Sequence, residues 1–356
     1  MRSHPLHSLR LGPDAFAVVM ATGILSVAAR DHAYSRIDGL LAALAAIMFV
    51  VLCLVGLLRV AAAPGAMLGR ARDPDIALRL FTFVAACAVM GACFSKHRSV
   101  TWALAAIAAA AWLLLVPLAV ADVRSRPSAE LRDHAHGAWL LGSVATAGLS
   151  ITAADLVTHT SWPGWVVLSG AGLVLSLALY VATAWLISWR VLSTRVVALD
   201  VTPDTWILMG ALAIATLAGV RLRDAVGLQM ETSWLSDAMS PAILVLWISA
   251  SGWIPVLLCA ELWRLWRGPE PFHFAGVWWS AVFPLGMYAT ASQATARALQ
   301  LSGLSTVSLV VFWVGLAVWI IVAGGLGHWM LSAAFGTRPA RHLRGRTGPG
   351  GPGLVR

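Results

Sequence analysis

Few side chains in this sequence could act on a small molecule, and they lie inside apolar runs. In "WWSAVFPLGMYATAS", residues 278–292, Phe283 stands directly before Pro284, with Gly286 two residues further on. A proline inside a helix removes one N–H and presses its ring against the carbonyl four residues back, at a cost of about 3 kcal/mol. In lipid such a break is tolerated where neighbouring helices or a water-lined cavity take up the freed backbone groups. Pro284 and Gly286 are therefore read as a kink beside a lumen, and Phe283 as a ring near mid-depth that obstructs the path by steric block and dewetting. The competing reading is a phenylalanine packed against a neighbouring helix or lipid. Thr22, Ser26, Ser143, Thr146, Ser150, Thr216 and Thr290 lie on similar runs, where hydroxyls facing inward would replace part of an anion's hydration. A one-residue error in rotation would leave about half of them facing a lumen.

Other chemistries lack their groups. GxSxG, HExxH and paired acids inside an apolar run are all absent, so no enzyme is expected. His134 and His136 form an HxH in a loop, read as a solvated pair and not a metal site, and no cofactor is implied. The 16 acidic residues fall in loops or last helical turns, so nothing at mid-depth could relay protons. Passive permeation, or coupling without a buried acid or base, is what remains.

Cations gather at one set of helix ends: Arg30, Lys96 with Arg98, Arg221 with Arg223, and Arg297. Arg30, Arg221, Arg223 and Arg297 are read as an electropositive outer vestibule that concentrates anions. The plainer alternative is that short loops have to put their cations somewhere.

The elements that must position these groups follow from composition. The chain has 356 residues, 59% hydrophobic and 12% charged, with mean hydropathy +0.80, which describes an integral membrane protein. Ten apolar stretches are long enough to cross about 30 Å of hydrocarbon: roughly 13–31, 37–63, 76–95, 99–121, 137–157, 163–190, 203–222, 240–264, 275–298 and 303–331. Residues 1–12 then form an N-tail, 13–331 the membrane domain, and 332–356 a basic, Gly/Pro-rich disordered tail that touches lipid. With the N-terminus inside, 18 of the 25 basic residues lie on the inner side and 7 on the outer, which places both termini in the cytoplasm. No basic run with interleaved aromatics suggests nucleic acid. The four cysteines lie in apolar runs without CxxC spacing and read as small hydrophobes.

The stretches alternate in bulk. The odd ones are rich in Gly, Ala, Ser and Thr, as in "MATGILS" and "LLGSVATAGLS", and most of the even ones are bulky, as in "VVFWVGLAVWIIV". Small residues let backbones approach or line a narrow lumen, while Leu, Val and Trp suit lipid. The expectation is five hairpins with odd members inside, enclosing either a lumen or a solid bundle.

"PDAFAVVMATGILSVAA", "FTFVAACAVMGA", "GAWLLGSVATAGLS", "DTWILMGALAIATLAG" and "WWSAVFPLGMYATAS", one per odd stretch, resemble the tellurite-resistance/dicarboxylate transporter family. That family includes bacterial tellurite-resistance permeases, plant slow anion channels, and fungal malate and sulfite carriers. The resemblance implies five helical hairpins around a central pore, a homotrimer in the plasma membrane with one pore per subunit, and an occluding phenylalanine on the ninth helix, which Phe283 matches. In the fifth stretch this chain has Ala147 where many relatives carry Gln, which leaves the substrate open. A chloride- or nitrate-like monoanion suits a lumen without a buried charge. A C4-dicarboxylate or sulfite carrier is the alternative.

Overall fold

Small side chains decide which helices lie inside. The computed structural model describes residues 12, 15–62, 74–160, 162–193, 202–230, 233–267 and 278–334, so the N-tail and most of the C-tail lie outside the described residues. Among these residues there are no strands, and ten helices have 15 or more residues: α1 (Ala17–Asp31), α2 (Ser35–Ala62), α3 (Pro74–Cys93), α4 (Arg98–Ser125), α5 (Leu141–Leu156), α6 (Gly164–Ser193), α7 (Ile207–Met230), α8 (Ser233–Arg267), α9 (Trp279–Leu299) and α10 (Ser302–Ala334). Seven of the helical segments are long and apolar enough to cross a membrane, and the shorter apolar stretch Ala77–Cys93 joins them.

Each odd helix packs on the even helix that follows it, and the odd helices touch in the order α1, α3, α5, α7, α9 and back to α1. The result is a closed ring of five hairpins. Of the apolar windows, 83% is buried in α5 and α7, against 11% in α4 and 17% in α2 and α8. The even helices turn Leu58, Leu114, Trp185 and Ile321 outward, an apolar belt that a water-soluble surface would not carry.

Tight connections make the hairpins antiparallel. Ala33, with φ of 61°, turns α1 into α2, and the Tyr34 N–H returns to the Ala29 carbonyl. Gln300, with φ of 54°, does the same between α9 and α10, where the Leu301 N–H reaches the Ala296 carbonyl. Two helices outrun their expected spans: α7 continues to Met230 and α8 begins at Ser233. Hydropathy marks where the apolar solvent ends, whereas "RLRDAVGLQM" keeps good helix formers beyond that point.

Candidate functional site

α9 runs unbroken through Pro284, and its neighbours fix where each face points. Successive residues are rotated by about 100°. A Cβ on Gly286 would lie 2.7 Å from Ile24 Cγ2 of α1, so that face seats α1. Pro284 meets Gly210 of α7, where an added Cβ would stand 3.0 Å from the proline Cβ. Leu285 touches Gly315 of α10, and Ser292 accepts from Trp247 Nε1 of α8 at 2.9 Å; both mark the outward side. Phe283 falls between the α1-facing and α7-facing directions and about 160–180° from the outward ones. Phe283 therefore leaves α9 on the side away from α8 and α10, and it is 2% exposed.

A chamber of about 500 Å³ lies at the end of the ring where the odd helices terminate, lined by Leu217, Val220, Arg221, Arg223 and Asp224 of α7, by Thr290, Ala294, Arg297 and Ala298 of α9, and by Asp31 and Gln300. Thr290 and Arg297 follow Phe283 at seven-residue intervals on one face, so Phe283 sits about 10 Å below Thr290 along the helix. On α7, Gly210 is seven residues before Leu217, and its contact with Pro284 closes the α7–α9 seam beneath the chamber. The Thr290 hydroxyl is buried and has no hydrogen-bond partner in the structure.

Three of the four arginines expected in a vestibule line this chamber. Arg30 does not. It binds Asp38 through Nε at 2.9 Å and donates to the Ala92 and Cys93 carbonyls at the end of α3, at 3.0 and 2.7 Å. A cation at a helix C-terminus satisfies orphan carbonyls, so Arg30 caps a neighbouring helix. The chamber arginines are paired as well: Arg297 with Asp31 at 2.9 Å, Arg221 with Asp155 at 3.8 Å and Arg223 with Asp237 at 3.7 Å. Sequence reasoning saw the cations and missed their counter-ions, although Asp31 adjoins Arg30 in the chain. Just outside α1, burial holds His32 below the usual imidazole range, with Arg297 adding to it against Asp31, and the ring hydrogen-bonds Ser308 Oγ at 2.8 Å.

Most of the expected lumen hydroxyls face the other way. Thr22 accepts from Trp319 Nε1 of α10 at 2.9 Å, and Ser26 donates to Asp38 of α2 at 2.6 Å. Thr146 accepts from Trp112 Nε1 of α4 at 3.0 Å. Ser143 and Ser150 donate to the Ser176 and Ser169 carbonyls of α6, at 2.8 and 2.7 Å. Thr216 donates to Leu212 O on its own helix at 2.8 Å, and Thr290 alone of the seven lines the chamber. The physical reason is that a buried hydroxyl needs a partner, and the outer helices supply one. The missed signal was the tryptophans on even helices: Trp112, Trp247 and Trp319 donate across the seams between hairpins. The double variant Ser143→Ala with Thr146→Val should cost about 1 kcal/mol in thermal unfolding, with ion permeability unchanged. A changed permeability ratio would return these residues to the lumen wall.

At the opposite end, Asp204, 4% exposed, accepts from Ala138 N at 3.0 Å and from Thr202 Oγ1. His136 Nδ1 lies 3.1 Å from the same carboxylate. Asp204 thereby ties the starts of α5 and α7 together, and His136 belongs to that junction; it is not one of a solvated HxH pair. The "TPD" preceding α7 was the available signal, being an N-terminal capping pattern.

The profile of the voltage-dependent anion channel family, SLAC1, matches residues 10–326. Uncharacterized membrane proteins from two strains of Mycobacterium tuberculosis, CDC 1551 / Oshkosh and H37Rv, are each 33% identical over 150 residues, covering 42% of this chain and 76% of theirs. An uncharacterized transporter of Methanocaldococcus jannaschii is 23% identical over 332 residues, covering 87% of this chain and 90% of its own. With a profile match that spans nearly the whole ring, the chain belongs to the voltage-dependent anion channel (SLAC1) family, which is the tellurite-resistance/dicarboxylate transporter family that its odd-helix segments resemble.

Proposed function

We propose that this protein is a passive pathway for small monovalent anions, chloride- or nitrate-like, through the centre of the ring, with Phe283 as its gate and no enzymatic step. Ten helices cross the plasma membrane, both termini are cytoplasmic, and the Arg297 end of the ring faces outward. Three such rings assemble as a homotrimer, as the family resemblance implies. The observation that carries the reading is the position of Phe283 on α9: on the side away from α8 and α10, below a polar chamber, between two close helix contacts. Pro284 and Gly286 serve this arrangement by seating α7 and α1 close against α9.

The depth below the chamber is poor in polar groups, because the hydroxyls are turned to the outer helices. A permeant there sheds water against apolar walls, which costs a dianion far more than a monoanion. Of the alternatives, a C4-dicarboxylate carrier places a dianion at that depth, and a sulfite carrier or a tellurite-resistance permease places an oxyanion that exchanges between one and two charges near neutral pH. Reversal potentials in planar bilayers under chloride, nitrate, sulfite and malate gradients decide between them: chloride and nitrate should carry current and malate almost none. Proton-coupled malate uptake without conductance would overturn the proposal. Cysteines at 283, 287, 290 and 294 should be labelled from water, while one at 285 or 292 should not.

A further inference from the structure

We propose that Asp31 is a specificity-determining residue: by neutralising Arg297 at the chamber wall it keeps the chamber suited to monoanions. This rests on the anion-pathway reading above. Three arginines and two aspartates line the chamber, and Asp155 and Asp237 pair with Arg221 and Arg223, so its cations are compensated and a dianion finds no uncancelled pair of positive charges. The pairs that set this balance differ in strength. Asp237 is 71% exposed and 3.7 Å from Arg223, and solvent screens it. Asp31 is 20% exposed and 2.9 Å from Arg297, which also donates to the Asp31 backbone carbonyl at 2.7 Å. Asp31 therefore cancels its arginine at close range, at the rim that opens toward Thr290. The Thr290 hydroxyl, buried and without a hydrogen-bond partner in the structure, is the neutral donor that a dehydrating monoanion meets next.

Asp31→Asn removes the charge and keeps a carboxamide oxygen for Arg297, so the guanidinium stays in place with its field uncancelled. Two measurements on the full chain test the assignment. In planar bilayers, chloride conductance of Asp31→Asn should exceed wild type by about threefold or more in 10 mM salt, where the Debye length is about 30 Å, and match it in 1 M, where it is about 3 Å. Isothermal titration of detergent-solubilised protein with sulfate in 10 mM salt should show about threefold or more tighter binding in Asp31→Asn, while Asp31→Glu stays at the wild-type value. Asp155→Asn, which frees Arg221, should shift the same way by less, and it stands in if Asp31→Asn does not fold. Unchanged sulfate affinity in the charge-removing variants overturns the assignment even where wild type conducts chloride. Tighter sulfate binding with no anion current in any variant upholds it and overturns the pathway reading instead.

Discussion

If Phe283 is the gate proposed above, Phe283→Ala should raise chloride conductance by about tenfold or more, because it removes a ring from the inner face of α9 beneath the chamber and lets water into the constriction. Stability provides the second readout. A phenylalanine truncated in an ordinary packed core costs about 3–5 kcal/mol, since its neighbours lose contacts on every side. A ring that faces a lumen loses fewer, and the thermal shift should correspond to less than about 2 kcal/mol. Conductance traces and melting curves of the same preparation therefore separate the two roles. Unchanged conductance with a core-sized loss of stability would make Phe283 a packing residue.

The other large effect is expected far from the gate. A Cβ on Gly137 would overlap the Asp204 carbonyl and stand 2.9 Å from Thr205 N. Those atoms belong to backbone that Asp204 itself holds, through its bond to Ala138 N, so no flexible side chain can move aside. Gly137→Ala should thus cost about 3 kcal/mol or more and reduce the folded yield sharply. Gly142→Ala, five residues on, meets nothing within 4 Å and should change the melting temperature little, with the gain in helix propensity in its favour. Equal behaviour of the two variants would mean that the α5–α7 junction yields and that its tight contact does not matter.

The sequence was most legible where side-chain volume decides the outcome. The alternation of small and bulky stretches separated inner from outer helices, since only Gly, Ala, Ser and Thr allow five backbones to close a ring. Pro284 singled out Phe283 in the sequence, as the aromatic directly before it in a stretch rich in small residues. Rotation about each helix was not legible. A stretch such as "LLGSVATAGLS" is small on every face, so nothing in it says whether Ser143 and Ser150 look inward or toward α6; the answer lay in Ser169 and Ser176 on another helix. Arg30 shows a second blind spot, because its partners Ala92 O and Cys93 O are backbone atoms, and carbonyls carry no residue-specific mark in a sequence. Asp31 and Asp155 are a third: charge counted per loop conceals which cation each one faces.

The division of labour among the polar clamps bears on how the chain is built. Ser26 with Asp38, Ser143 with Ser176 and Ser150 with Ser169 join partners within one hairpin, so these groups are already satisfied when a newly made pair of helices enters the bilayer alone. Trp112 with Thr146, Trp253 with Tyr180, Trp247 with Ser292 and Trp319 with Thr22 join different hairpins. The pair α9 and α10, made after the other four, completes two of those indole links at once. A nascent chain halted before Trp279 would therefore leave Thr22 and Trp247 without their mates, and the same fluorophores would report when the circle shuts.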